Sequence, residues 1–129
     1  MILIDSTALI EILEKRSKTG ERLYSAIIES GEPICTTSIN LHEVLYELKK
    51  FNKPIKELLR LPIVDYSREA ALLSAQIEYE MEKNGTPARR TDSMTAGVAV
   101  TEALHFLTLD SKHFDPIAKK FPLKFFSME

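Results

Sequence analysis

The chain has 129 residues, 44% of them hydrophobic and 28% charged, and a formal net charge of −2 from 17 Lys and Arg against 19 Asp and Glu. That is one domain's length, with enough apolar residues for a core and a single cysteine, Cys35, which excludes an internal disulfide and cannot seed a zinc site alone. The near-neutral charge argues against a pure nucleic-acid-binding module, no apolar run approaches the ~20 residues needed to cross a bilayer, and Met1-Ile2-Leu3-Ile4 is no signal peptide, so a soluble cytoplasmic protein is expected.

Residues 1–4 read as a buried strand. Asp5-Ser6-Thr7 ends it and opens a helix through about Lys15. A second helix over about 20–30 carries Leu23, Ile27 and Ile28 at helical spacing, and Gly31-Glu32-Pro33 stops it. The basic run Lys15-Arg16-Ser17-Lys18 reads as the end of the first of these helices, where cations favour the dipole. Residues 34–37 form the next strand, and Ser38 or Asn40 caps a helix with Leu41, Val44, Leu45 and Leu48 on one face. A short helix follows Pro54, and a third strand covers 63–66.

Ser67 is an N-cap for a long helix with Ala70, Leu73, Ser74, Ile77 and Met81 along one stripe, ended by Asn84-Gly85-Thr86-Pro87. A helix starting at Thr91 or Asp92 is rich in small residues (Ala96, Gly97, Ala99, Ala103), which suits close packing. A fourth strand covers 106–109 and a last one 123–126, while Asp115-Pro116 reads as a helix start. Strands alternating with helices imply one α/β domain over 1–129, with a mostly parallel sheet of four to five strands between two helical layers. Ligands of such sheets bind beyond the carboxyl ends of the strands.

Four acids fall at those ends or at helix starts. Asp5 follows the first strand and Asp110 the fourth. Glu43 lies early in the helix after the second strand, and Asp92 opens the small-residue helix. The eight residues from Asn84 to Thr91 reach at most about 27 Å, just enough to bring Asp92 back to the same edge. Four converging carboxylates repel one another unless cations are bound, and hard Mg²⁺ or Mn²⁺ suits such a set. Each acid also has a plain structural reading. Asp5 serves as a strand-end cap, Asp92 as a helix N-cap, Asn40-x-x-Glu43 as a capping-box variant and Asp110-Ser-Lys as a turn.

The order and setting of these residues resemble PIN-domain ribonucleases, in particular the VapC-like toxins of type II toxin–antitoxin systems. The resemblance is carried by Ile2-Leu3-Ile4-Asp5-Ser6-Thr7, by Thr37-Ser38-Ile39-Asn40-Leu41-His42-Glu43-Val44-Leu45, by Asp92-Ser93-Met94-Thr95-Ala96-Gly97-Val98-Ala99 and by Phe106-Leu107-Thr108-Leu109-Asp110-Ser111-Lys112-His113-Phe114. It implies a PIN-like fold and Asp5, Glu43, Asp92 and Asp110 as ligands of Mg²⁺ or Mn²⁺. Thr7 would support the metal shell, and metal-activated water would hydrolyse single-stranded RNA to leave a 5′-phosphate. A cognate antitoxin that wraps the toxin and pushes a basic side chain toward the acids is implied as well. Asn40 stands where Thr or Val is more usual in the family, and Leu109 where a basic residue often precedes the last Asp.

Arg89, Arg90, Lys112 and His113 flank the acids and are candidate phosphate contacts, with a solvated loop as the alternative. His42, one step from Glu43, is expected to point elsewhere, and Lys119-Lys120 to face solvent. His105 and Cys35 read as core or near-core residues. Tyr46, Phe51, Leu58, Leu59 and Leu61 hint at a homodimer or a groove for a partner's helix, with core as the alternative. Two rival functions remain at this level: a housekeeping PIN nuclease in ribosomal RNA maturation or RNA decay, and a non-catalytic PIN-like binding module.

Overall fold

In the computed structural model, which describes residues 1–15 and 17–127, strand β1 (Ile2–Ile4) has every side chain buried. A strand covered on both faces has no polar alternation to show, which is why it reads as an unbroken apolar run. It lies at the centre of a five-stranded sheet of order β3-β2-β1-β4-β5, formed with β2 (Ile34–Thr37), β3 (Ile63–Val64), β4 (His105–Leu107) and β5 (Lys124–Phe125). All four pairings are parallel.

Leu3 points into a core with Cys35, Ile77, Met81, Phe106, Phe114 and Ile117. Its neighbours Ile2 and Ile4 point the other way, toward Leu9, Leu23, Val44, Leu48 and Leu58. The helices sort accordingly. On the Ile2 and Ile4 side lie α1 (Ser6–Ile10), α2 (Lys18–Ser30), α3 (Ser38–Lys50) and α4 (Lys56–Leu59). On the Leu3 side lie α5 (Arg68–Lys83), α6 (Arg90–Thr101) and α7 (Ser111–Ala118). This is the expected three-layer α/β/α arrangement with a parallel sheet.

Local chemistry accounts for most element boundaries, and corrects several expectations. The first helix passes from α1 into a π-helical turn over Glu11–Lys15. Gly20 lies against that turn so closely that a Cβ would run into the Glu11 carbonyl. Ser17 is the N-cap of α2, accepting from the Gly20 N–H at 3.1 Å, so Ser17-Lys18 starts a helix rather than ending one. Arg16, part of the same basic run, lies outside the described residues.

Thr37, not Ser38 or Asn40, caps α3. Ser67 caps α5 as its sequence suggested, accepting from Ala70 N–H. Helix α6 begins at Arg90 with Arg89 before it, which places Asp92 inside the first turn instead of at the cap. The segment around Asp115-Pro116 is the second half of α7, which starts four residues earlier at Ser111. Strand β3 is only two residues long, and β4 starts at His105 and stops at Leu107.

The small-residue helix α6 packs on α5 at backbone distance. A Cβ on Gly97 would lie 2.8 Å from the Ala70 carbonyl oxygen and 2.9 Å from the Ser74 Cβ. Ser74 is itself held by the Tyr66 hydroxyl at 2.5 Å. This close seating runs α6 down the sheet and feeds β4, so its first turn lies at the carboxyl edge. Among the described residues no helix is long and apolar enough to cross a membrane.

Candidate active site

The strand order reverses beside β1: the chain steps outward from β1 to β2 and β3, then returns across the sheet to β4 on the other side. A crevice opens at such a switch point, beyond the carboxyl ends of the strands. Asp5 is the first residue past β1 and its N–H donates to the Leu107 carbonyl of β4 at 3.0 Å. The side chain is 5% exposed. One carboxylate oxygen, Oδ1, accepts from the Ala8 N–H at 3.2 Å and from the Thr7 hydroxyl at 2.9 Å, so Asp5 does cap α1. The Thr108 side chain, just past β4, hydrogen-bonds the same carboxylate. Thr7 also accepts from the Leu109 N–H at 3.4 Å, tying the two strand ends together.

Glu43 reaches the crevice from the second turn of α3. With Thr37 as the cap, Glu43 lies beyond the position a capping box requires. Instead it ends a relay. The Thr37 hydroxyl donates to Asn40 Oδ1 at 2.7 Å, Asn40 Nδ2 donates to Ser6 Oγ at 2.9 Å, and Ser6 Oγ donates to Glu43 Oε1 at 2.7 Å. Asn40 is buried, and its backbone N–H is bound to Thr37 as well. Every donor in the chain points toward Glu43, which holds its carboxylate in place.

Asp92 projects from the first turn of α6, and Asp110 from the residue before α7. Asp110 occupies the N-cap position of α7, but its side chain makes no capping bond, and Asp92 lies past the cap of α6. Arg89 Nε donates to Asp92 Oδ2 at 2.9 Å, and a terminal guanidinium nitrogen donates to Asp92 Oδ1 at 3.3 Å. The same guanidinium stands 3.5 Å from Asp110 Oδ2, and His113 Nδ1 lies 2.8 Å from Asp110 Oδ1. Asp5, Glu43, Asp92 and Asp110 thus line one cleft of about 110 Å³ together with Ser6, Thr7, Asn40, Arg89, Thr95 and Phe114.

As placed, no three His, Cys, Asp or Glu side chains among the described residues close a metal shell by themselves. Asp92 and Asp110 are drawn instead onto Arg89 and His113. The donor set is nonetheless all oxygen, which is the kind that hard cations take. Burial, followed by the nearby Asp92 charge, pushes the Asp5 carboxyl above its ordinary range, against hydrogen bonds from Thr108, Ala8 and Thr7 that lower it. A buried carboxylate held short of compensating positive charge is what a cation would relieve.

That shift has a sign. Asp5 holds its proton more tightly folded than unfolded, so it favours folding below its ordinary value of 3.8. This contribution is lost as pH rises through the higher folded-state value. Asn keeps the cap and removes the charge. In chelator at neutral pH, Asp5→Asn is therefore expected to melt at or above the parent's temperature, with the difference closing in acid. Thermal unfolding followed by circular dichroism across pH measures it, and a clearly lower midpoint at neutral pH would reduce Asp5 to a cap.

The flanking residues divide. Arg89 and His113 stand at the acids. Arg90 turns away to a two-pronged pair with Glu78 of α5, and Lys112 is exposed outside the cleft lining. His105 is surface-exposed, at 3.0 Å from Glu32, and so is not a core residue, whereas Cys35 is fully buried. Leu58 is core, while Tyr46, Phe51 and Leu59 are more than half exposed. Ser6, Thr108 and the structural part played by Asn40 went unread in the sequence. Hydroxyl residues clustered just past the ends of β1, β2 and β4 were the available signal.

Comparison with known proteins agrees with this fold. Residues 2–120 match the PIN domain. A curated relative from Salmonella typhimurium, named tRNA(fMet)-specific endonuclease VapC, is 33% identical over 91 residues, spanning 65% of this chain and 69% of the relative. One of the same name from Shigella flexneri is 29% identical over the same shares. Among solved structures, DNA-bound VapBC from Salmonella typhimurium superimposes with a TM-score of 0.79 at 24% identity, covering 99% of this chain and 98% of that one.

Proposed function

The chain belongs to the PIN domain family, and from that membership we propose that it is a metal-dependent endoribonuclease acting as the toxin of a toxin–antitoxin pair. The observation that carries this reading is the gathering of Asp5, Glu43, Asp92 and Asp110 around one cleft at the carboxyl edge of a parallel sheet. A structural coincidence of caps would have left Glu43 and Asp92 bonded to backbone N–H groups, whereas Glu43 accepts from Ser6 and Asp92 from Arg89.

In this reading the four acids hold Mg²⁺ or Mn²⁺. The bound cation would supply a hard Lewis acid that activates water and offsets charge at the phosphate. The chain's own residues prepare that chemistry. Thr7, Thr108 and the Ala8 N–H fix the Asp5 carboxylate in one orientation, so little reorganisation is left for the reaction itself. The Thr37–Asn40–Ser6 relay does the same for Glu43. Arg89 and His113 stand beside the acids and suit RNA phosphates, with the exposed Lys112 next to His113 in sequence, whereas Arg90 is engaged by Glu78. Phosphate contacts of this kind orient a strand without reading its sequence.

The partner in this reading is a cognate antitoxin, in keeping with the VapBC complexes that share the fold. The exposed Tyr46, Phe51 and Leu59 offer apolar area to such a partner or to a second copy in a homodimer. The curated relatives are named for tRNA(fMet), which makes that tRNA the first substrate for an assay. Cleavage is expected in Mg²⁺ or Mn²⁺ and not in EDTA. Full activity in EDTA would overturn the metal-dependent reading.

A further inference from the structure

Arg89 immediately precedes α6, and two-thirds of its side chain is exposed. A long cation so placed is free to extend into solvent. Here it folds back over the acids instead. Its two-pronged grip on Asp92 uses both carboxylate oxygens, and its terminal nitrogen stands 3.5 Å from Asp110. Its affinity for its proton is raised first by the Asp92 hydrogen bond and then by the Asp92 charge, with Asp110 and Glu43 adding to the attraction. Three of the four acids therefore act on this one guanidinium. Arg90, next in sequence, has the same length and is also exposed, but pairs outside the cleft with Glu78.

The oxygens that Arg89 holds are the ones a divalent cation in this cleft would need. Two positive charges in one small cleft repel each other, and a carboxylate gripped on both oxygens is poorly placed to turn toward a metal. Arg89 also has somewhere to go. It lines a neighbouring hollow of about 260 Å³ with Pro87, Ala88, Asp92 and His113. Arg89 thus borders both spaces, and an exposed side chain can change rotamer without a change in the backbone.

We propose that Arg89 is an internal counter-ion of the acidic cleft, competing with the divalent cation for Asp92 and Asp110 and turning out toward the neighbouring hollow when the cation binds. The proposal rests on the reading that these acids hold a divalent cation. Its consequence is a metal-free cleft that is already neutralised, at the cost of weaker apparent cation affinity. The apparent affinity falls with the fraction of time the acids are free.

Calorimetric titration of Mn²⁺ into the full chain, without RNA, tests this. Arg89→Gln is expected to bind Mn²⁺ about three- to tenfold more tightly than the parent. Arg89→Lys, which keeps the charge and loses the planar fork, should fall between them. Arg90→Gln removes the same net charge outside the cleft and should bind as the parent does. Unchanged or weaker binding by Arg89→Gln would overturn the proposal, and so would an equal gain in Arg90→Gln, which would reduce the effect to overall charge. A failure of parent and Arg89→Gln alike to bind Mn²⁺ would overturn the cation reading itself, and the proposal with it.

Discussion

Asp5→Asn is expected to lower metal-dependent RNA cleavage by about a hundredfold or more, since a metal ion supplies several kcal/mol of charge stabilisation and each 1.36 kcal/mol is tenfold in rate. The substitution is nearly isosteric. It keeps an oxygen to accept from the Ala8 N–H and the Thr7 hydroxyl, and Asn is as good an N-cap as Asp. What it removes is the negative charge of the most buried acid in the cleft. Initial rates of tRNA cleavage in Mg²⁺ and Mn²⁺, for parent and variant, measure the loss. Melting curves on the same preparations separate it from unfolding, because the variant should be no less stable than the parent in chelator. A variant that keeps full activity would remove Asp5 from the catalytic set and leave it as a cap.

The opposite pattern is expected for Phe106→Ala, where stability falls and activity follows it. Phe106 is fully buried in β4, next to the central strand. Its ring meets Phe114 of α7 edge-on at 4.7 Å between centroids and Phe125 of β5 at 6.3 Å. Truncation deletes the ring contacts shared by two strands and a helix, and leaves a cavity that the sheet cannot close. The expected cost is about 3–5 kcal/mol, a large part of the ~5–15 kcal/mol that holds a domain together. Urea unfolding should show a clearly lower midpoint with a similar slope. Thr108, which orients Asp5, follows β4 directly and Asp110 comes two residues later, so the cleft loosens with the core. A drop below about 1 kcal/mol would mean that the neighbours collapse into the space.

Both expectations draw on features that differ in how openly the sequence displays them. The buried runs at β1 and β2 and the stripe of α5 are legible because each obeys a local period. Ser67 is legible as a cap because a hydroxyl before an amphipathic run has one favoured use. Helix α6 starts one or two residues before the position its sequence suggests. Arg89 is an unusual cap residue, with no side-chain bond to the helix backbone, and nothing local marks it. The start of α3 is ambiguous in sequence because Thr37, Ser38 and Asn40 are all competent caps within four residues. Only the end of β2 selects Thr37. Residue type alone suggests a core place for His105, but it is the exposed first residue of β4 and pairs with Glu32 across the surface.

The sequence by itself determined that this chain forms an α/β domain with a parallel sheet and that acids stand at strand ends and helix starts, since both follow from short-range periodicity and punctuation. Motif order added the family resemblance. Only the tertiary structure decided what those acids do at rest. It moved Glu43 from a capping box to the end of a hydrogen-bonded relay, and Asp92 from a cap to the grip of Arg89. It also sent Arg89 into the cleft and Arg90 out to Glu78, although the two are adjacent and chemically identical. Direction around a helix start depends on where its neighbours are packed. Gly97 against α5 sets that for α6, through contacts between residues too far apart in the chain for any local pattern to reveal.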